Sequence, residues 1–187
     1  LVKGKPVNIK KPYQAIHLGM GLVPDERRTL GLNMKFDIKD NTTLPSMKLF
    51  QKLGIFQDHE GEAKAAYDIN EKMNLSYYSL WQNVKKLSGG NQQKIVISKW
   101  LAAHPKVLIL DEPTRGIDVG AKAEIYDLMR ALTKEGVSII MISSELPEIL
   151  NNSSRIAVMS EGRLVKILDP AKDEISQEII MSYAVEG

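Results

Sequence analysis

Cysteine is absent from the 187 residues, which excludes disulfides and thiolate chemistry. The three histidines, at 17, 59 and 104, have no ligand spacing, so a metal site built from protein side chains alone is not expected. No run of 18 apolar residues and no signal-peptide pattern occurs; the expectation is a cytoplasmic chain whose link to a membrane comes through a partner. The 25 lysines and arginines barely outnumber the 23 aspartates and glutamates, and the net charge of +2 gathers into no basic stripe, so nucleic acid is not an expected partner. Aromatic residues make up only 6% of the chain. Phe50, Phe56, Tyr77, Tyr78 and Trp81, with only Lys52, Lys64 and Lys72 scattered among them, read as a small subdomain core rather than a base-stacking surface.

What is present is concentrated in two stretches, Leu87-Ser88-Gly89-Gly90-Asn91-Gln92-Gln93-Lys94 and Val107-Leu108-Ile109-Leu110-Asp111-Glu112-Pro113. In the first, Ser88 suits the N-cap of a helix carrying Ile95, Val96, Ile97, Trp100 and Leu101. Two glycines at a helix start cost roughly 1 kcal/mol each relative to alanine, so packing alone does not choose them and something should approach the backbone closely. A helix N-terminus with free N–H groups suits a phosphate oxygen; a bare SGG taken alone suits better a capped helix after a flexible loop, and the second stretch shifts that balance. The second stretch is an apolar run of the kind covered on both faces in a parallel sheet, and it delivers Asp111 and Glu112 to the strand's carboxyl end, where α/β sheets bind ligands. Adjacent carboxylates point to opposite sides, so one can serve a magnesium ion and the other a water.

Around these stretches the pattern predicts a strand at Val7 to Ile9 after a Gly4-Lys5 turn, a helical turn or two at Pro12 to Leu18, and a strand at Met20 to Val23 ended by Pro24. Asp25-Glu26-Arg27-Arg28 reads equally as a charged surface turn. Ala63, Ala66, Tyr67, Asn70 and Met73 recur at helical spacing within Glu60 to Met73. Asp118 precedes a helix bearing Ile125, Leu128, Met129 and Leu132 and suits its N-cap. Val137 to Ile142 and Ile156 to Met159 are apolar strands, Glu161-Gly162 turns into Arg163 to Leu168, and Asp173 to Tyr183 is a final amphipathic helix. Strands alternating with helices give an α/β fold with a mostly parallel sheet.

LSGGNQQK, LILDEPT and the following Arg115-Gly116-Ile117-Asp118 resemble the signature motif, Walker B strand and D-loop of ABC-type ATPases. With DEPTRGIDVGAK and ISSELPEIL added, the chain resembles the second nucleotide-binding half of the simple-sugar import ATPases of ribose, galactose or xylose type, from about Gly4 to Val185. The resemblance implies the ABC-type P-loop NTPase fold with an inserted helical subdomain: residues 1–36 and 105–187 as nucleotide-binding core, and residues 37–104 as the helical part with the signature motif. No G-x-x-x-x-G-K-[ST] occurs; Gly4-Lys5 runs into Pro6, and Gly19-Met20-Gly21 has no lysine. In the family the segment like Leu1 to Lys10 follows the P-loop, so the chain looks truncated ahead of it, and alone it is expected to be inactive.

By the same resemblance the cofactors are ATP and Mg²⁺. Ser88, Gly89, Gly90 and Gln92 would meet ATP held by a partner half, Asp118 would face that half, Asp111 would position Mg²⁺ through water, and Glu112 would be the catalytic base. The Q-loop falls near Asp25, where the family's usual glutamine is missing and Asp25 stands as a weak metal contact. Ser144 occupies the switch position, usually a histidine, without the charge of an imidazolium. Ser144 reads equally as a helix N-cap, with Pro147 in the first turn. The implied partners are a second ABC domain, a transmembrane permease and, indirectly, a sugar-binding protein, at the cytoplasmic face of the membrane. A catalytically silent regulatory half and a soluble, non-transport ABC ATPase are the competing readings.

Overall fold

The computed structural model describes every residue except Leu1, Lys3, Leu53, Gly54 and Gly187, and the side chain of Glu186. The chain divides into two compact units, Leu1–Ile142 and Ser143–Gly187.

In the first unit the elements run α1 (Pro12–His17), β1 (Met20–Val23), α2 (Ile38–Thr43), β2 (Gln51–Lys52), β3 (Phe56–Gln57), α3 (His59–Lys72), α4 (Gly89–Leu101), β4 (Val107–Asp111), α5 (Val119–Lys134) and β5 (Ser138–Ile142). A π-helical turn, Arg27–Gly31, follows β1, and a 3-10 stretch, Leu44–Phe50, follows α2. The expected strand at Val7 to Ile9 does not form. Pro6 removes a donor, only an isolated Val2–Lys5 bridge closes around Gly4, and the exposed segment beyond has no strand beside it.

The expected parallel sheet has β4 at its centre, in the order β1-β4-β5. Leu22 lies opposite Ile109, and Ile109 opposite Ile140. The carbonyl of Gly19 accepts from Lys106 N and Val107 N, and Ser138 N donates to the Lys106 carbonyl, so the strand starts are tied together. Val23, Leu108 and Leu110 are fully buried on one face with Ile95, Val96, Ile97 and Ile125. The other face is not covered as the apolar run predicted: Leu22 is 48% exposed, Ile140 52% and Ile142 49%.

Between β1 and α4 the chain builds a helical layer. Asp37 caps α2 by accepting from Asp40 N at 2.8 Å, and Asp58 caps α3 by accepting from Gly61 N at 3.2 Å. Glu62, Ala66 and Asn70 form the buried stripe of α3, with Met73 just beyond its end, whereas Tyr67 faces outward, against expectation. The aromatic core does not form either. Phe56, Trp81 and Tyr78 are 65%, 68% and 98% exposed, because Ile38, Leu75, Leu80 and Val84 fill the interior and these aromatics fall on the short β3 strand and the turn before Val84. Only Tyr77 packs against that core.

The second unit holds α6 (Leu146–Asn152), β6 (Ile156–Ser160), β7 (Arg163–Leu168) and α7 (Gln177–Glu186). Glu161 and Gly162 both take positive φ, 47° and 79°, the two-residue turn that matches strand twist, and β6 pairs antiparallel with β7. Ile156, Val158 and Leu168 bury against Ile180 of α7. That helix starts at Gln177 rather than Asp173, since the Asp173 carboxylate instead accepts from Asp169 N at 2.8 Å and closes a turn.

Candidate functional site

An α–β connection that reverses direction puts the start of a helix beside the end of the next strand. The N-termini of α4 and α5 therefore gather at the carboxyl edge of the sheet, where β4 ends in Asp111. At α4, Ser88 Oγ accepts from Asn91 N at 3.3 Å and from Asn91 Nδ2 at 3.1 Å, which makes it the N-cap and leaves its O–H proton to donate outward. The Gly89 and Gly90 amides head the helix.

The sequence argument for the two glycines needs correcting at Gly90. A Cβ there would lie 2.7 Å from Ala121 Cβ on α5, so helix packing does require glycine. A Cβ on Gly89 would instead meet Arg27 Nη2 at 3.0 Å and the Gly116 carbonyl at 3.5 Å. Gln92 is 1% exposed. Its Oε1 accepts from Arg28 Nε at 3.3 Å and its Nε2 donates to the Val84 and Leu87 carbonyls at 3.3 and 3.2 Å, so its amide braces the loop ahead of α4 from inside the protein.

Asp111 ends β4 opposite Ile142. Glu112 turns away with φ 46°, a left-handed conformation that costs a non-glycine residue of order 1–3 kcal/mol and concentrates at functional sites. Its N–H donates to the Ile142 carbonyl at 2.9 Å and its carbonyl accepts from Arg115 N at 3.1 Å. The turn then passes through Gly116 at φ 68° to Asp118, whose Oδ1 accepts from Ala121 N at 2.9 Å and caps α5. Asp25 Oδ2 pairs with Arg115 Nη1 at 3.4 Å and its Oδ1 accepts from Glu26 N, so Asp25 faces a cation of the same turn.

Ser144 belongs to the second unit and is exposed there. It is not the N-cap of α6. That position is Glu145, whose N–H donates to Ser143 Oγ at 3.0 Å, while the Ser143 hydroxyl donates to Glu148.

Three side chains went unread in the sequence. Arg27 donates to the Arg115 and Gly116 carbonyls at 2.9 and 3.1 Å, and burial, with the charge of Arg28 adding to it, lowers its pKa. Lys99 on α4 donates to the Gly31 carbonyl from a buried position, and desolvation lowers its pKa too. Glu62 is buried on α3. Arg27-Arg28, three residues after the strand-ending Pro24, was the one available signal for the first of these.

The donor set fits a magnesium nucleotide better than a free ion. Among the described residues no three His, Cys, Asp or Glu side chains converge on a metal position. Magnesium is characteristically held by one or two carboxylates plus phosphate oxygens, and Asp111 with Glu112 offers that share. Ser88 and the two glycine amides offer donors to a phosphate.

The fold is that of an ATP-binding cassette. The chain superposes with TM-score 0.71 on a dimeric post-hydrolysis state of the cassette MJ0796 bound to ADP and Pi, at 20% identity over 87% of this chain and 68% of that one. It also superposes with TM-score 0.70 on a nucleotide-free cassette, at 20% identity over 95% and 69%. Residues 1–115 match the ABC transporter family, and the chain belongs to it. It is 49% identical over 183 residues to the ribose import ATP-binding protein RbsA of Shouchella clausii (98% of this chain, 36% of the relative). It is 50% identical to RbsA of Lactococcus lactis subsp. lactis (100% and 37%) and 48% identical to the xylose import ATP-binding protein XylG of Geobacillus kaustophilus (100% and 36%). The chain thus spans a little over a third of the length of these relatives.

Proposed function

We propose that this chain is the signature-bearing part of the second nucleotide-binding half of a simple-sugar import ATPase. Ser88, Gly89 and Gly90 clamp the γ-phosphate of ATP held by a partner half. The observation that carries the reading is the α4 start: a serine-capped, amide-rich tip set against the turn that leads to Asp118. Two elements assigned to face the partner thereby form one surface.

Asp111 would help hold magnesium when it is bound, and Glu112 orients the attacking water and accepts its proton, at the site whose P-loop belongs to this same half. Magnesium supplies charge neutralisation on the phosphates when bound. Asp118 faces the partner, and Ser144, at the switch position, offers a hydroxyl without positive charge. Gln92 acts through the helix it braces, and Asp25 acts through Arg115. The membrane permease docks on the helical layer of residues 37–104, where Leu49, Phe56, Tyr78 and Trp81 are exposed, and a sugar-binding protein acts through that permease. No helix among the described residues is long and apolar enough to cross a membrane, and the proposed location is peripheral, on the cytoplasmic face.

A structure of the assembled ATPase with trapped nucleotide tests this directly. Ser88 to Gly90 should lie within hydrogen-bond reach of the γ-phosphate bound to the other half, and a separation well beyond that refutes the clamp.

A further inference from the structure

Arg27 stands where three pieces of the chain meet. It opens the π-helical turn after β1, its Nη1 donates to the Arg115 carbonyl at 2.9 Å, and its Nη2 donates to the Gly116 carbonyl at 3.1 Å. The same Nη2 lies 3.0 Å from where a Cβ on Gly89 would stand, so one planar cation bonds the turn ahead of α5 and lies beside the tip of α4. Its neighbours repeat the pattern. Asp25 pairs with the Arg115 side chain at 3.4 Å, and Arg28 Nε donates to Gln92 on the first turn of α4 at 3.3 Å.

Surface charge alone does not account for this placement. The Arg27 side chain is partly buried, and its Nε is buried without a hydrogen-bond partner among the described residues. Among the described residues no carboxylate pairs with it; its hydrogen bonds go to the carbonyls of Arg115 and of Gly116, which has φ 68°. A rigid fork of donors suits two adjacent carbonyls in a way a single ammonium does not.

We propose that Arg27 is a positioning residue that fastens the Arg115–Gly116 turn to the α4 tip, so that both reach the partner's nucleotide as one preformed face. The inference rests on the reading of Ser88 to Gly90 as the phosphate clamp. Without Arg27 the two elements order only on binding, and the apparent affinity for ATP falls by the fraction of time the face is assembled.

The test is steady-state ATPase kinetics on the assembled enzyme carrying Arg27→Ala, Arg27→Lys or Ser88→Ala, with amide hydrogen exchange on each. Arg27→Ala should raise KM for ATP about tenfold while kcat stays within about twofold, and exchange at Gly89 to Gln92 and at Gly116 and Ile117 should quicken with β4 unchanged. Arg27→Lys keeps the charge and much of the stem, guards against a variant that fails to fold, and should still raise KM at least about threefold. A rise in KM with Ser88→Ala but neither Arg27 variant overturns the role of Arg27 alone. An unchanged KM with Ser88→Ala overturns the clamp, and this inference with it. A fall in kcat at constant KM for both Arg27 variants reduces Arg27 to a folding contact and also overturns it.

Discussion

Gly90 is fixed by its neighbour. The 2.7 Å separation between its Cβ position and Ala121 Cβ is closer than carbon atoms pack, and the obstacle is a short side chain that cannot swing aside. Gly90→Ala should destabilise the chain by about 1–3 kcal/mol, the usual range for overpacking, and Ala121→Gly in the same chain should restore part of that. Urea unfolding of the two single variants and the double variant checks this; independent, additive losses would mean the helices do not press on each other there. Gly89 differs: a Cβ there would meet Arg27 Nη2 at 3.0 Å, a looser approach than the 2.7 Å at Gly90, so Gly89→Ala should cost less in stability than Gly90→Ala.

Among the elements, α5 and the α2–α3 pair give the clearest expectations. Asp118 is the side-chain cap of α5, and Asp118→Ala should lower stability by about 1 kcal/mol, with Asp118→Asn recovering most of it. Glu62 links α3 to α2: its carboxylate accepts from Thr43 Oγ1 at 2.6 Å and pairs with Lys39 Nζ at 3.1 Å, and Lys39 also pairs with Asp40 at 2.9 Å. Removing one partner of a buried pair costs about 3–5 kcal/mol; with Asp40 still beside Lys39, Glu62→Gln should fall at or below about 3 kcal/mol at neutral pH.

The pH dependence of that loss has a definite sign. Burial on its own raises the Glu62 pKa, but the bonds from Thr43 and Lys39 outweigh it and the net shift is downward. A carboxyl with a depressed folded value stabilises above the ordinary glutamate range and loses that contribution as pH falls through the folded value. The gap between wild type and Glu62→Gln, measured by unfolding at successive pH values, should therefore narrow on acidification below the ordinary glutamate value. A gap that widens there would reverse the assignment.

At the scale of the whole molecule, the chain holds Asp111, Glu112 and the α4 tip but no G-x-x-x-x-G-K-[ST], so alone it should show no ATPase activity above blank. Robust magnesium-dependent turnover by the 187 residues would contradict the missing-cradle argument. Much of the fold was legible beforehand. Val107 to Leu110 announced a strand, though not its half-open face, by an apolar run between prolines, and Ser88 and Asp118 announced helix starts by residue type, because these signals are local and act through backbone hydrogen bonding. The aromatics of residues 50–81 were misread because apolar residues on short, peripheral segments bury only if the fold brings something over them.

The order of residues by itself determined the strands at Met20–Val23 and Val107–Asp111, the helices capped by Ser88 and Asp118, and that two carboxylates leave the central strand together. Tertiary structure alone decided that Arg27 lies across Gly89 and Gly116, that Ala121 demands a glycine at 90, and that Glu62 is buried with a lysine. Those contacts join residues from 23 to 89 positions apart. Backbone preference and periodicity reach only a few residues, and contacts over such separations exist only once the packed chain sets its elements side by side.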